Sequence, residues 1–190
     1  VDRKGLIQLG LASILSMGTV DSPKLYPLEI VFDDGEGVVC NVPKEIKSLH
    51  EKFMNLKTDE GEQIFKSYTA LSFIAEKGTL DYAKEIAKIK DENGNQTYPS
   101  HYICSLLRNN IGVEEAKNWA NIDLKDPFDK QPSRIDAREI LEFIENNIDY
   151  RYIEDIASIT DEEGNPTFTP KDVFDFSKFS YDTSCKNIPS

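Results

Sequence analysis

Histidine and cysteine are scarce in this 190-residue chain, with two and three copies. His50 and His101 would need carboxylates from distant segments to build a metal site. Cys40, Cys104 and Cys185 are odd in number and far apart, which indicates neither a disulfide framework nor a thiolate metal site. They read as buried or free thiols, with at most one bridge among them. No G-x-S-x-G stretch is present, so nucleophilic catalysis has no local signature. Basic residues are outnumbered, 22 Lys and Arg against 34 Asp and Glu, for a net charge of −12. A chain this acidic repels nucleic acid and anionic lipid. Hydrophobic residues make up 39%, which is low, but they run along the whole chain, and this argues against global disorder.

Long apolar runs are also missing. The nearest is Gly5 to Val20, 16 uncharged residues behind Arg3 and Lys4. A membrane span needs about 20, and Gln8 interrupts the run. Ile7, Leu11, Ile14 and Leu15 share one helical face, so a packing helix is the first expectation. The basic start and the small residues around Ser16-Met17-Gly18 also fit a secretory signal. Were residues 3–18 a retained signal, the protein would be secreted, and this segment could touch a membrane or bind a partner. Otherwise a cytoplasmic location is favoured.

What is present is pattern. Leu28 to Phe32 reads as a strand, Asp33-Asp34-Gly35-Glu36-Gly37 as a turn, and Val38 to Val42 as the returning strand. Pro43 stands where a helix begins, with Lys44 to Met54 following. From about residue 50 the chain repeats itself. A quartet recurs as Phe53-Met54-Asn55-Leu56, Ile86-Ala87-Lys88-Ile89, Trp119-Ala120-Asn121-Ile122 and Ile156-Ala157-Ser158-Ile159, at spacings of 33, 33 and 37. An aromatic or Ile then precedes a core position by five residues: Phe65 with Ala70, Tyr98 with Ile103, Ile135 with Ile140, Phe168 with Val173. Asn109-Asn110-Ile111 returns as Asn146-Asn147-Ile148. Each unit reads as helix, acidic loop, helix. Units of this size must bury their apolar faces against one another.

The loops carry the one candidate chemistry. Loop two runs from Asp91 to Tyr102 and loop four from Asp161 to Asp172. They resemble the 12-residue loop of the EF-hand family, which binds calcium through oxygen ligands. The resemblance implies metal ligands at Asp161, Glu163, Asn165 and Asp172 in loop four, and at Asp91, Asn93 and Asn95 in loop two. Phe168 and Tyr98 match the family's apolar position. Position six holds Pro166 and Gln96 where the family has glycine, and loop two ends in Tyr102 where the family has glutamate. A competing expectation is that these Asp and Asn residues cap helices and stabilise turns. Gly164-Asn165-Pro166-Thr167-Phe168 also resembles the Gly-Asn-Pro-x-Phe turns of uncharacterised prokaryotic helical-repeat proteins. A period near 33 is that of ankyrin repeats too, but no unit carries the T-P-L-H signature.

The expected fold is mainly α, with about four tandem helix-loop-helix repeats behind a small N-terminal β-hairpin. Residues 1–43 would hold a helix, linker and hairpin, residues 44–180 the repeats, and residues 181–190 a tail. The expected function is a non-catalytic interaction or scaffold module that meets a basic protein partner through an acidic surface, with no nucleic-acid partner. Calcium is the only cofactor implied, through the EF-hand resemblance, and a calcium-binding module is the alternative. A carboxylate-dependent hydrolase using Glu62, Asp91, Glu139 and Asp172 is a second alternative.

Overall fold

The computed structural model describes residues 24–32, 34–91, 93–125, 132–169 and 171–176. The expectations for residues 1–23 and 181–190 lie outside them. The protein is mainly helical, with a small two-stranded antiparallel hairpin near its N-terminal end. No helix among the described residues is long and apolar enough to cross a membrane.

The hairpin pairs β1 (Leu25–Val31) with β2 (Gly37–Pro43), from Leu25 opposite Pro43 to Val31 opposite Gly37. The first strand starts three residues earlier than the apolar alternation suggests, because backbone pairing continues past Leu28 onto Tyr26 and Pro27. Leu28, Ile30 and Val42 face inward and are buried. Pro43 ends the strand and caps α1 (Lys44–Met54), whose bounds match the sequence expectation, since proline at a helix start loses no hydrogen bond.

The remaining helices are α2 (Ser67–Ala75), α3 (Leu80–Ala87), α4 (Ser100–Arg108), α5 (Val113–Ala120), α6 (Ala137–Glu145) and α7 (Tyr150–Ala157). Residues 171–176 are also helical. Phe53, Ile86, Trp119 and Ile156 each stand one residue before the end of α1, α3, α5 and α7. The first three are fully buried, and Ile156 is half-buried. Two kinds of connection alternate. Tight turns with one left-handed residue join α2 to α3, α4 to α5 and α6 to α7, through Lys77, Asn110 and Asn147 at φ 61°, 57° and 56°. Hairpin turns join α1 to α2 and α3 to α4. Between α5 and α6 the hairpin is longer, with β3 (Asp123–Lys125) antiparallel to β4 (Pro132–Arg134). The acidic loop expected between these two helices thus contains a pair of short strands.

The described residues up to Lys88, with Tyr98–Arg108, form one compact unit, and Ile89–Thr97 with those from Asn109 onward form a second. The first unit centres on Phe53, Phe65 and Phe73, whose ring centroids lie 5.1–5.4 Å apart. The β1–β2 hairpin packs on α1 and α2 there, and α2 and α3 pack on α4. The second unit centres on Trp119, stacked on Phe143 at 5.7 Å and edge-on to Tyr150 at 6.2 Å.

Candidate functional site

Four tight turns share one backbone design. In each, the first residue donates its N–H to the carbonyl four residues on, and its own carbonyl accepts from the glycine three residues on. Phe32 bonds Glu36 and Gly35 at 2.9 and 3.0 Å; Thr58 bonds Glu62 and Gly61 at 2.8 and 3.0 Å. Asp91 bonds Asn95 and Gly94 at 2.8 and 3.0 Å; Asp161 bonds Asn165 and Gly164 at 2.9 and 3.0 Å. The glycines lie at φ 81°, 86°, 81° and 82°, a left-handed conformation that side chains resist. This is a type I turn closed by a glycine bulge, a common short hairpin link. Lys57 with Gln63, Lys90 with Gln96, and Thr160 with Pro166 form the antiparallel bridges beneath three of them. The chain therefore reverses at Gly94 and Gly164, the fourth residues of loops two and four. The sixth residues, Gln96 and Pro166, are bridge partners.

The seven candidate ligands divide between turns and caps. Asp161 Oδ1 accepts the amides of Glu163 at 2.9 Å and Asn165 at 2.8 Å, and the Asn165 side chain donates to Oδ2 at 3.2 Å. Asp91 repeats this with the amides of Asn93 and Asn95 at 2.9 and 2.8 Å, and the Asn95 side chain at 3.3 Å. In the first of the repeat loops the Thr58 hydroxyl takes the same place, accepting from the Glu62 amide at 3.2 Å. The amide and side chain of Asn165 hold the Asp161 carboxyl below its usual pKa. Glu163 and Asn93 are exposed on these turns. Asp172 does not join the other loop-four candidates in a shared cradle. It accepts from the Thr169 amide at 2.9 Å and hydroxyl at 2.7 Å, and donates its own amide to that hydroxyl at 3.1 Å, closing a capping box at the start of the helical residues 171–176. These bonds, the Thr169 hydroxyl first, lower its pKa.

Glu139 plays the same part at α6. Asp136 Oδ1 accepts the Glu139 amide at 2.8 Å, and Glu139 Oε2 accepts the Asp136 amide at 3.1 Å. Of the four carboxylates considered for hydrolysis, two cap helices, Asp91 braces its turn, and Glu62 is exposed on another. Among the described residues, no group of three or more His, Cys, Asp and Glu is arranged to hold a metal.

One arrangement escaped sequence reading. His50 on α1 and Ser67 at the start of α2 are the two buried polar side chains of the described core. His50 Nε2 lies 3.0 Å from the Ser67 carbonyl and 3.2 Å from its hydroxyl, which donates to the Glu29 carbonyl of β1 at 3.5 Å. A Ser–His pair at this distance has the reach of a nucleophile and base. Here it ties the hairpin to both helices beneath a closed core. Burial is the main reason the His50 pKa falls below its ordinary value. Nothing in the local sequence signals the pair, since the partners stand 17 residues apart. Of the two described cysteines, both free thiols, Cys104 is buried and its pKa is pushed up to about 12 by desolvation.

Exposed acids stand on the turns as well as on the helices. Asp59, Glu60 and Glu62 stand exposed in the first unit, and Asp161, Glu162 and Glu163 in the second. Comparison with family models, curated proteins and solved structures finds no match for this chain.

Proposed function

We propose that this is a non-catalytic repeat protein that binds a basic protein partner through its acidic hairpin turns. The observation that carries the reading is the reuse of one turn design between helices, with the copies around Gly61 and Gly164 raising acidic side chains clear of the core. A hairpin turn and two helices at a 33-residue period is also the layout of ankyrin-type units, whose arrays present extended binding surfaces. The net charge of −12 favours a partner of opposite sign and makes the association sensitive to salt.

A pull-down from the native source at low and at high ionic strength tests this, run beside a variant with Asp59, Glu60, Glu62, Glu162 and Glu163 changed to their amides. These five side chains are exposed, so the variant should keep its circular dichroism spectrum. A partner retained by the native protein at low salt and lost from the variant is the expected result. Capture that ignores both salt and the substitutions, or no partner at any ionic strength, overturns the reading.

A further inference from the structure

The second unit holds a groove of about 390 Å³ between the ends of α5 and α7 and the turn around Gly164. Its walls include Asn121, Asp123, Glu154, Ser158, Gly164 and Pro166, and no basic residue is among the described residues that line it. Asp123 and Glu154 are exposed, and neither side chain has a hydrogen-bond or ion-pair partner among the described residues. Asn121 and Ser158 are the C-caps of α5 and α7. Two helix carbonyl ends therefore border the same space as two unpaired carboxylates. Helix C-termini favour cations, and the two effects add.

The charge of this groove is specific to its place in the chain. With the quartets aligned, Asp123 corresponds to Lys90 and Lys57, and Glu154 corresponds to Lys117 and Lys84. Both earlier junctions thus carry lysine where this one carries acid. General acidity of the chain does not explain a reversal at two equivalent positions in the last junction.

We propose that this groove receives an arginine side chain of the basic protein partner, a specific anchor within the acidic-surface reading on which it rests. The space exceeds that of a bare ion. Apolar walls from Ile122, Ala157 and Pro166 suit an aliphatic stem. A planar guanidinium carries five donors in a fixed fork, which suits two carboxylates together with cap carbonyls better than a rotating ammonium does.

The test is amide NMR of the full chain at low salt, titrated with the acetylated and amidated pentapeptide Gly-Gly-Arg-Gly-Gly and with its lysine counterpart. The expected result is movement of the Asn121, Asp123, Ser158 and Gly164 amides with a dissociation constant of about 1 mM. The Asp123→Asn, Glu154→Gln double variant should weaken this about tenfold, in line with the loss of charge-assisted bonds. Shifts confined to the acidic turns and unchanged in that variant overturn the groove while leaving the acidic-surface reading standing. Equal response to the lysine peptide overturns the choice of guanidinium. No shift with either peptide overturns the groove, and the salt-dependent pull-down then reads the broader proposal separately.

Discussion

At the scale of single residues, backbone conformation sets the strongest demands. Lys77, Asn110 and Asn147 hold the same left-handed position after a helix, and asparagine tolerates it better than lysine. After α2, the Lys77 amide bonds the Ile74 carbonyl at 3.0 Å and the Gly78 amide bonds the Phe73 carbonyl at 2.9 Å, a Schellman closure. Lys77→Gly should therefore stabilise the protein by about 0.5–1 kcal/mol in denaturant unfolding. Gly78→Ala should do the opposite, costing about 1–3 kcal/mol by overpacking, because a Cβ there would stand 2.2 Å from the Phe73 ring. His50 supplies a pH dependence. Its folded pKa lies below the ordinary 6.5, so the unfolded chain binds the proton first as pH falls. Its stabilising effect is complete above that ordinary value and declines as pH drops from it toward the lowered folded value. Asp161 and Asp172 act in a separate, more acidic window. Their folded pKa values are depressed below 3.8, so their contribution holds above that value and is lost as pH falls through the folded values. Unfolding measured from pH 7.5 to 5 should slope downward in the native protein and flatten in His50→Gln. Equal slopes in the two proteins would refute the assignment.

At the scale of elements, the turns divide what the sequence made plain from what it hid. The start of α1 was legible because Pro43 both ends a strand and opens a helix. The core positions around the helix starts were legible because their spacing repeats: Phe65 with Ala70, Tyr98 with Ile103 and Ile135 with Ile140 are all buried, while in the fourth pair Val173 is buried and Phe168 half-buried. The hairpin of β3 and β4 was not, since strands of three residues with Pro132 among them have no alternation to detect. The shared turn was present in the letters, as a glycine three residues after Phe32, Thr58, Asp91 and Asp161. A twelve-residue template, with its glycine expected two places later, concealed it. Each of Gly61→Ala, Gly94→Ala and Gly164→Ala should cost about 1 kcal/mol. The cost comes from φ alone, because a Cβ at these three positions meets nothing within 4 Å. Since the Asp91 and Asp161 carboxylates already bind their own loop amides, calcium must compete with those bonds. The melting temperature is expected to stay put at millimolar calcium, and a rise of several degrees would return loops two and four to the role their EF-hand resemblance implies.

At the scale of the whole molecule, a repeated sequence does not make repeated interiors. The first unit is built on three phenylalanines, while the second turns on Trp119, the only tryptophan in the chain. The pattern also weakens toward its last copy. Leu56, Ile89 and Ile122 end their quartets buried, but Ile159 is 46% exposed. This places the weight of the second unit on Trp119, which is 1% exposed and touches Phe143 and Tyr150. Among the described residues its indole Nε1 meets no hydrogen-bond partner, so within them the side chain contributes through packing. Two substitutions measure that packing. Trp119→Ala removes the packing and should cost about 3–5 kcal/mol. Trp119→Phe keeps most of the ring stack without the indole N–H, so its cost should be well under half of that. Hydrogen exchange locates the damage: amides of α5, α6 and α7 should lose protection in Trp119→Ala, while those of α1 and α2 should keep theirs. Protection lost equally in both units would mean that the chain unfolds as one body, and the division of the interior into a phenylalanine core and a tryptophan core would then carry no energetic meaning.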